Sequence, residues 1–265
     1  MNYYKSIIQY DGTRYCGFQW QKDLSTVQYD INISIAKLLD GKFTTMGASR
    51  TDTGVHAVEQ LFRITSENEI ECDSFLVELN KILPLQIRFL SITPCLASFM
   101  PTTASISKEY RYLFTNTLKS GCMDQMYIAN NPYPLNIEAM KECTKMIVGK
   151  NSFHNFCSAG SNVKTTIRDI FSCELSQVNP HEVLPQNGLF EVHPDLQNCY
   201  QLKIIGSGFL KQMVRHLMSA LWMVGNGRIT VEEFAGLING PLKTKRLWKV
   251  ADARGLYLYR FQEKK

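Results

Sequence analysis

The chain has 265 residues, 45% of them hydrophobic (including 11% aromatic) and 20% charged, a balance that excludes the disordered class and can build a sizeable core. Its formal charge is +5, from 29 basic and 24 acidic side chains, a mild excess compatible with a nucleic-acid partner without requiring one. No apolar run is long enough to cross a bilayer, and the eight cysteines are scattered, with no Cys-x-x-Cys pair and no His at zinc-finger spacing. The opening MNYYKSIIQYDG lacks the charged-then-apolar pattern of an export signal, so free thiols, no membrane span and a cytoplasmic location are expected.

Taken in chain order, residues 5–10 alternate around Ile7 and Ile8 as an opening strand, closed by Asp11-Gly12. Ser25 or Thr26 can cap a helix in which Val27, Ile31, Ile35 and Leu38 share one face, and Asp40-Gly41 ends it. A short strand at 43–46, a polar loop at 47–54 and a strand at 58–65 follow. A second helix, 72–83, is stopped by Pro84; strands are expected at 87–92 and 108–116, the latter alternating Tyr110, Tyr112 and Phe114. Residues 118–135, with Gly121, Pro132 and Pro134, read as a long connection.

Beyond it come a helix at 137–148, strands at 167–176 and 199–205, helices at 209–225 and 230–238, and a closing strand at 255–261. The segment 177–198 carries three prolines and Gly188 between two strands and reads as loosely ordered. Strands joined by short turns argue for an α+β fold with a mixed, largely antiparallel sheet flanked by helices, in two similar halves. The halves divide at 117/118, giving domains 1–117 and 118–265.

The most informative stretch is Ser49-Arg50-Thr51-Asp52-Thr53-Gly54-Val55-His56-Ala57, between two expected strands. Read locally, Asp52 is an Asx-turn residue with Arg50 as its surface ion-pair partner. Asp-Thr-Gly also occurs in aspartic proteases, but that chemistry needs two carboxylates sharing a proton, and the adjacent Arg50 holds a carboxylate ionised. Along the helix at 209–225, Leu210, Met213, Val214, Leu217, Leu221 and Val224 form the expected buried side. Lys211, Arg215 and Ser219 fall in line on the polar side, which is either a solvated face or one wall of a cleft.

The loop resembles the Gly-Arg-Thr-Asp-Ala-Gly-Val-His signature of the TruA-like pseudouridine synthases, and seven further blocks follow that family's order. These are the run from Tyr10 to Gln19, Thr26-Val27-Gln28, Leu79-Asn80 with Leu83-Pro84, and Lys108-Glu109-Tyr110-Arg111-Tyr112. Thr166-Ile167-Arg168-Asp169-Ile170, Gly208-Phe209-Leu210 with Met213-Val214-Arg215, and Arg254-Gly255-Leu256-Tyr257-Leu258 complete the set. Ser49 replaces the family's usual Gly, the segment 99–102 lacks a basic residue found there, and the connection 177–198 looks longer than usual.

The resemblance implies a pseudouridine synthase fold whose two halves meet at a basic active-site cleft, the first carrying the aspartate loop and tyrosine strand, the second the arginine helix and closing strand. It implies an isomerase that needs no cofactor and no metal and that converts uridine to pseudouridine in the tRNA anticodon stem-loop, at positions 38–40. Asp52 is then the catalytic carboxylate, Tyr110 the base-stacking tyrosine and Arg215 the guanidinium that keeps Asp52 ionised, with Leu256 lining the pocket. Arg50 is the candidate for contacting the displaced nucleotide after base flipping. Arg14, Lys108, Arg168, Lys211 and Lys245 are candidate phosphate contacts. A homodimer is implied as well. Another RNA substrate, a non-catalytic RNA-binding module and an unrelated hydrolase using Asp52 are the competing readings.

Overall fold

Alternation places Tyr4, Ser6, Ile8 and Tyr10 inward and opens the chain as a strand, in line with the sequence pattern. In the computed structural model, which describes residues 1–116, 124–158, 160, 163–192, 199–241 and 248–264, the elements run as follows. The first stretch holds β1 (Asn2–Tyr10), α1 (Val27–Ala36), β2 (Phe43–Gly47), β3 (His56–Ser66), α2 (Cys72–Ile82), β4 (Ile87–Pro94) and β5 (Ser105–Thr115). After it come α3 (Asp124–Tyr127), β6 (Ala129–Asn130), α4 (Ile137–Ile147), β7 (Gly149–Ser152), β8 (Ile167–Gln177) and α5 (Pro180–Val183). The chain finishes with β9 (Cys199–Gly206), α6 (Met213–Gly225), α7 (Val231–Ala235) and β10 (Leu256–Glu263). β10 joins β3 in parallel and β6 joins β5 in parallel, while the other pairings within each unit are antiparallel. The fold is therefore α+β with a mixed, largely antiparallel sheet.

The chain divides into two compact units that interleave along the sequence: Met1–Ile106 with Pro185–Phe190 and Tyr257–Lys265, and Ser107–Leu184 with Glu191–Leu256. Most of β5, with Tyr110, lies in the second unit, and most of the closing strand in the first.

In the first unit β1 sits between β4 and β3, and the far edge of β3 is shared. β2 pairs with Phe62–Ser66, from Phe43↔Ser66 to Gly47↔Phe62, and β10 takes over at His56 and Ala57. Thr26 caps α1 by accepting the Tyr29 N–H, and Val27, Ile31 and Ile35 of that helix are buried. An aromatic chain fills the core, Tyr10 stacking on Phe18 and Phe18 meeting Phe62 edge-on, with Phe62 edge-on to Phe89. Asn80 pins α2 to β4, its amide donating to Phe89 O (2.8 Å) and its Oδ1 accepting Phe89 N–H (2.9 Å).

In the second unit the sheet order is β5-β9-β8-β7, with β6 beside β5. α4 buries Met140, Cys143 and Ile147, and packs so closely against α6 that a Cβ at Gly225 would lie 2.6 Å from Met140 Sδ. α7 opens with a reciprocal cap: Thr230 Oγ1 accepts Glu233 N–H (3.1 Å) and Glu233 Oε2 accepts Thr230 N–H (2.8 Å). Thr230→Ala removes one arm of this cap and is expected to cost about 1 kcal/mol, read as a lower urea midpoint with an unchanged slope.

Two expectations about α6 are corrected. The helix begins at Met213 rather than 209, because Gln212 takes a left-handed backbone (φ 60) that breaks the helical run. Lys211 therefore precedes the helix, and Ser219 is buried rather than polar-facing, together with His216 and Met218. The segment 177–198 is also more ordered than expected over its described part. α5 lies within it, capped by Asn179, and Leu184, Leu189 and Phe190 are buried; residues 193–198 lie outside the described residues. The first unit accounts for part of this order: Asn187 donates to Gln9 Oε1 (2.6 Å) and accepts from Arg88 at its carbonyl (3.3 Å).

Among the described residues no helix is long and apolar enough to cross a membrane, and no group of three or more His, Cys, Asp or Glu is placed to hold a metal ion.

Candidate active site

The loop 48–55 leaves β2 where that strand stops following β3 and returns at the point where β10 replaces it. Its start is held by Gln60, whose Oε1 accepts Ser49 N–H (3.1 Å) and whose Nε2 donates to Ser49 O (2.7 Å). Ser49 stands where the resembled signature has Gly, and its two bonds to Gln60 are main-chain bonds that either residue supplies. In the middle, Thr51 is buried: its hydroxyl lies 2.8 Å from Tyr10 Oη, and its carbonyl accepts Phe18 N–H (3.1 Å).

The far end closes as a turn, Val55 N–H donating to Asp52 O (3.1 Å) with Gly54 at φ 76 and its N–H on Tyr15 O (3.2 Å). Gly17 approaches so closely that a Cβ there would sit 2.8 Å from Thr51 O. Main-chain bonds thus fix the residues on both sides of Asp52, which is half-buried, while Arg50 is exposed. A carboxylate on a backbone held this way keeps its position without spending entropy at the moment of reaction. Arg14 is exposed on the turn that carries Tyr15, Gly17 and Phe18. Of the sequence-predicted residues, the first unit brings Arg14, Arg50 and Asp52 onto this pair of facing turns.

In the second unit Tyr110 projects from β5, nearly buried, with its ring edge-on to Phe209 at 4.9 Å between centroids. Phe209 is placed by the turn Gly206-Ser207-Gly208, and Gly206 has no room for a side chain: a Cβ would lie 2.7 Å from Ile170 Cδ1 and 2.9 Å from Asp169 O. Lys108, two residues before Tyr110 on the same face of β5, pairs in register with Gly206, and burial lowers its pKa from the usual lysine range. Arg168 lies beside Gly208 and donates to Thr165 O (2.9 Å) and Ile167 O (2.6 Å), with a pKa lowered by burial.

Lys211 is exposed, and its carbonyl accepts Ser158 N–H (3.2 Å). Arg215, in the first turn of α6, is half-buried and donates from Nε to Ala251 O (2.7 Å). Tyr112 is packing as expected: it is fully buried, edge-on to Trp222, and donates to Asp252 O (2.8 Å). Burial raises its pKa well above the ordinary tyrosine value. Leu256 is buried at the start of β10. Tyr110, Lys108 and Arg168 are thus linked through the turn at 206–209, and Arg215 is tied to the run 251–256 through Ala251. Lys245 lies outside the described residues.

Comparison with known proteins decides what this arrangement belongs to. The chain is 33% identical over 258 residues to tRNA pseudouridine synthase A of Syntrophomonas wolfei, covering 97% of this chain and 96% of that one. The chain belongs to the tRNA pseudouridine synthase family. It is therefore an enzyme of the isomerase class. A second relative, tRNA pseudouridine synthase A of Listeria innocua, is 31% identical across 98% of both chains. The family model described as tRNA pseudouridine synthase matches residues 144–262, the part holding Arg168, Lys211, Arg215 and Leu256. Among solved structures, the crystal structure of a Cbf5-Nop10-Gar1 complex is matched over 83% of this chain and 45% of that one, at 11% identity and a TM-score of 0.35.

Two features of this synthase were not assigned a role from sequence. Tyr10, Asp11 and His56 stood inside the motifs, yet their part in holding the loop emerges only from the packing of β1 on β3. The segment 99–102, which lacks the family's basic residue, is instead anchored by one: Arg63 donates to Phe99 O (2.7 Å) from the neighbouring strand β3.

Proposed function

We propose that this synthase converts uridine to pseudouridine in the anticodon stem-loop of tRNA, at positions 38–40, with Asp52 as the catalytic carboxylate. The observation that carries the reading is the loop at 49–56. It holds the signature aspartate half-exposed on a backbone fixed from both sides, in a chain that is collinear with synthases of this name.

The reaction breaks the N1–C1′ bond of uridine, turns the base and forms C5–C1′, with the C5 proton leaving and N1 gaining one, so atoms balance without a co-reactant. Asp52 acts by adding to the ring, by attack at C1′ or by stabilising positive charge on the sugar; all three require the ionised form. Arg215 supplies the positive charge that favours that form, and Tyr110 stacks on the base and takes the C5 proton. The target base must leave its stack at a cost of a few kcal/mol, and Arg50, exposed beside Asp52, contacts the displaced nucleotide. The exposed Arg14 and Lys211 and the half-buried Lys108 and Arg168 are assigned to phosphate contact. Leu256 lines the base pocket. No metal or cofactor takes part, and the enzyme works in the cytoplasm as a homodimer.

The test is site mapping in unmodified tRNA transcripts. Pseudouridine is expected at one or more of positions 38–40 and nowhere outside the anticodon arm. Product confined to another arm or another RNA overturns the assignment of the site, and binding without product in any RNA favours a non-catalytic module.

A further inference from the structure

His56 is the last residue of the signature and the first of β3, and its imidazole has no exposed surface. A fully buried histidine four residues from Asp52 has no route to substrate, so its contacts act behind the loop. Its Nδ1 accepts Gly12 N–H (3.2 Å) and lies 3.1 Å from Asp11 Oδ1. Asp11 is buried too, at the end of β1, and also accepts from Thr13 N (2.9 Å) and Thr13 Oγ1 (2.5 Å).

Burial alone would push the Asp11 carboxyl up. The hydrogen bond and charge of His56, with the Thr13 bonds, outweigh this and hold it below the usual aspartate value. One ring nitrogen of His56 thus faces both the main chain and the carboxylate of the β1 turn, which sets the ring orientation.

The ring is also clamped on its faces. Tyr257 of β10 stacks on it at 4.7 Å between centroids and 22°, and Phe190 meets it edge-on at 5.7 Å and 86°. Phe190 arrives on the long connection, in the segment Pro185–Phe190 that belongs to the first unit and is tied to Gln9 through Asn187. Gly12, beside Asp11, touches the main chain of Val55, the residue whose N–H closes the Asp52 turn.

We infer that His56 and Asp11 form a positioning pair for Asp52, tying the β1 turn to the aspartate loop, and that the 177–198 connection contributes Phe190 as the wall holding His56 in place. The inference rests on Asp52 being the reacting carboxylate. It assigns the unusual connection a task in the active-site frame rather than in RNA contact.

His56→Phe keeps the ring stack and deletes Nδ1 with its contacts to Gly12 and Asp11. The expected result is kcat lower by about 100-fold, the size of effect that a loop misplaced by about 1 Å produces, with KM and the tRNA dissociation constant within about twofold of wild type. His56→Asn places an amide nitrogen near the position of Nδ1 and is expected to recover kcat to within about tenfold of wild type. Asp11→Asn, which keeps the Thr13 contacts, guards against a His56→Phe protein that does not fold; it is expected to lose kcat by about tenfold with tRNA affinity unchanged. Wild-type kcat in His56→Phe or Asp11→Asn, no recovery in His56→Asn, or parallel loss of kcat and tRNA affinity overturns the inference. An active wild type with unaffected variants removes this inference alone; a wild type that forms no pseudouridine removes the functional reading and this inference with it.

Discussion

Asp52→Asn is expected to lower the rate of pseudouridine formation by at least about a thousandfold while tRNA binding stays within about twofold of wild type. The asymmetry follows from the loop. The described bonds that shape it are made by the Asp52 carbonyl, by Thr51, Gly54 and Val55, and by the Gln60 side chain. Asparagine preserves size and leaves all of these in place, so the variant protein keeps the frame and presents a neutral amide where a carboxylate stood.

A neutral amide neither adds to a ring carbon nor attacks C1′, and it stabilises positive charge on the sugar poorly. All three routes open to an aspartate close together. On the proposed reading, binding draws instead on cations spread over Arg14, Arg50, Lys108, Arg168 and Lys211, none of which the substitution replaces. The rate is read from tritium released by C5-tritiated uridine in tRNA, the affinity from filter binding at fixed salt. Residual activity above about a tenth of wild type would place the chemistry on another residue.

How far the sequence disclosed this design depends on the range over which each signal acts. β1, α1, β3, α2, β4, β5, α4, β8 and β9 were legible because each has its own period or cap: Thr26 before Val27, or Tyr110, Tyr112 and Phe114 on alternate positions. β7 was not, since Gly149–Ser152 has neither alternation nor apolar content and is a strand only because β8 lies beside it. The same holds for the two residues of β6 on β5. The start of α6 was misplaced because nothing in a glutamine announces a left-handed backbone at Gln212.

Around the aspartate, the motif residues were visible as a string, and what they do to one another was not. Tyr10 and Thr51 are 41 positions apart and 2.8 Å apart. Phe190 reaches His56 from the far side of the chain, on a segment whose prolines suggested disorder. Interleaving of the two units was hidden for the same reason: the closing strand enters the first unit by pairing Tyr257 with His56, a contact with no local trace.

Gly12→Ala is the second large effect expected, and it tests the frame without touching a side chain. An ideal Cβ on Gly12 would lie 2.0 Å from Val55 O, 2.6 Å from Val55 C and 3.1 Å from Val55 N. All three are main-chain atoms of the residue that closes the Asp52 turn, so no rotamer change can relieve the clash. Either the β1 turn or the aspartate loop must move, and the loop is bonded at Ser49, Thr51, Gly54 and Val55 against doing so.

The expected cost is about 2–3 kcal/mol in a urea titration, together with a fall in kcat of about 100-fold, because the displacement arrives at Asp52. Gly227→Ala is the matching control: its φ is 71 and nothing lies within 4 Å of a Cβ there, so only the backbone preference is lost, about 1 kcal/mol, with kcat unchanged. If the two variants lose stability equally and both keep full activity, the β1 turn and the aspartate loop are not in the contact that the structure gives them. If Gly12→Ala loses activity far beyond its loss of stability, the turn at 11–12 is part of the machinery that aims the carboxylate.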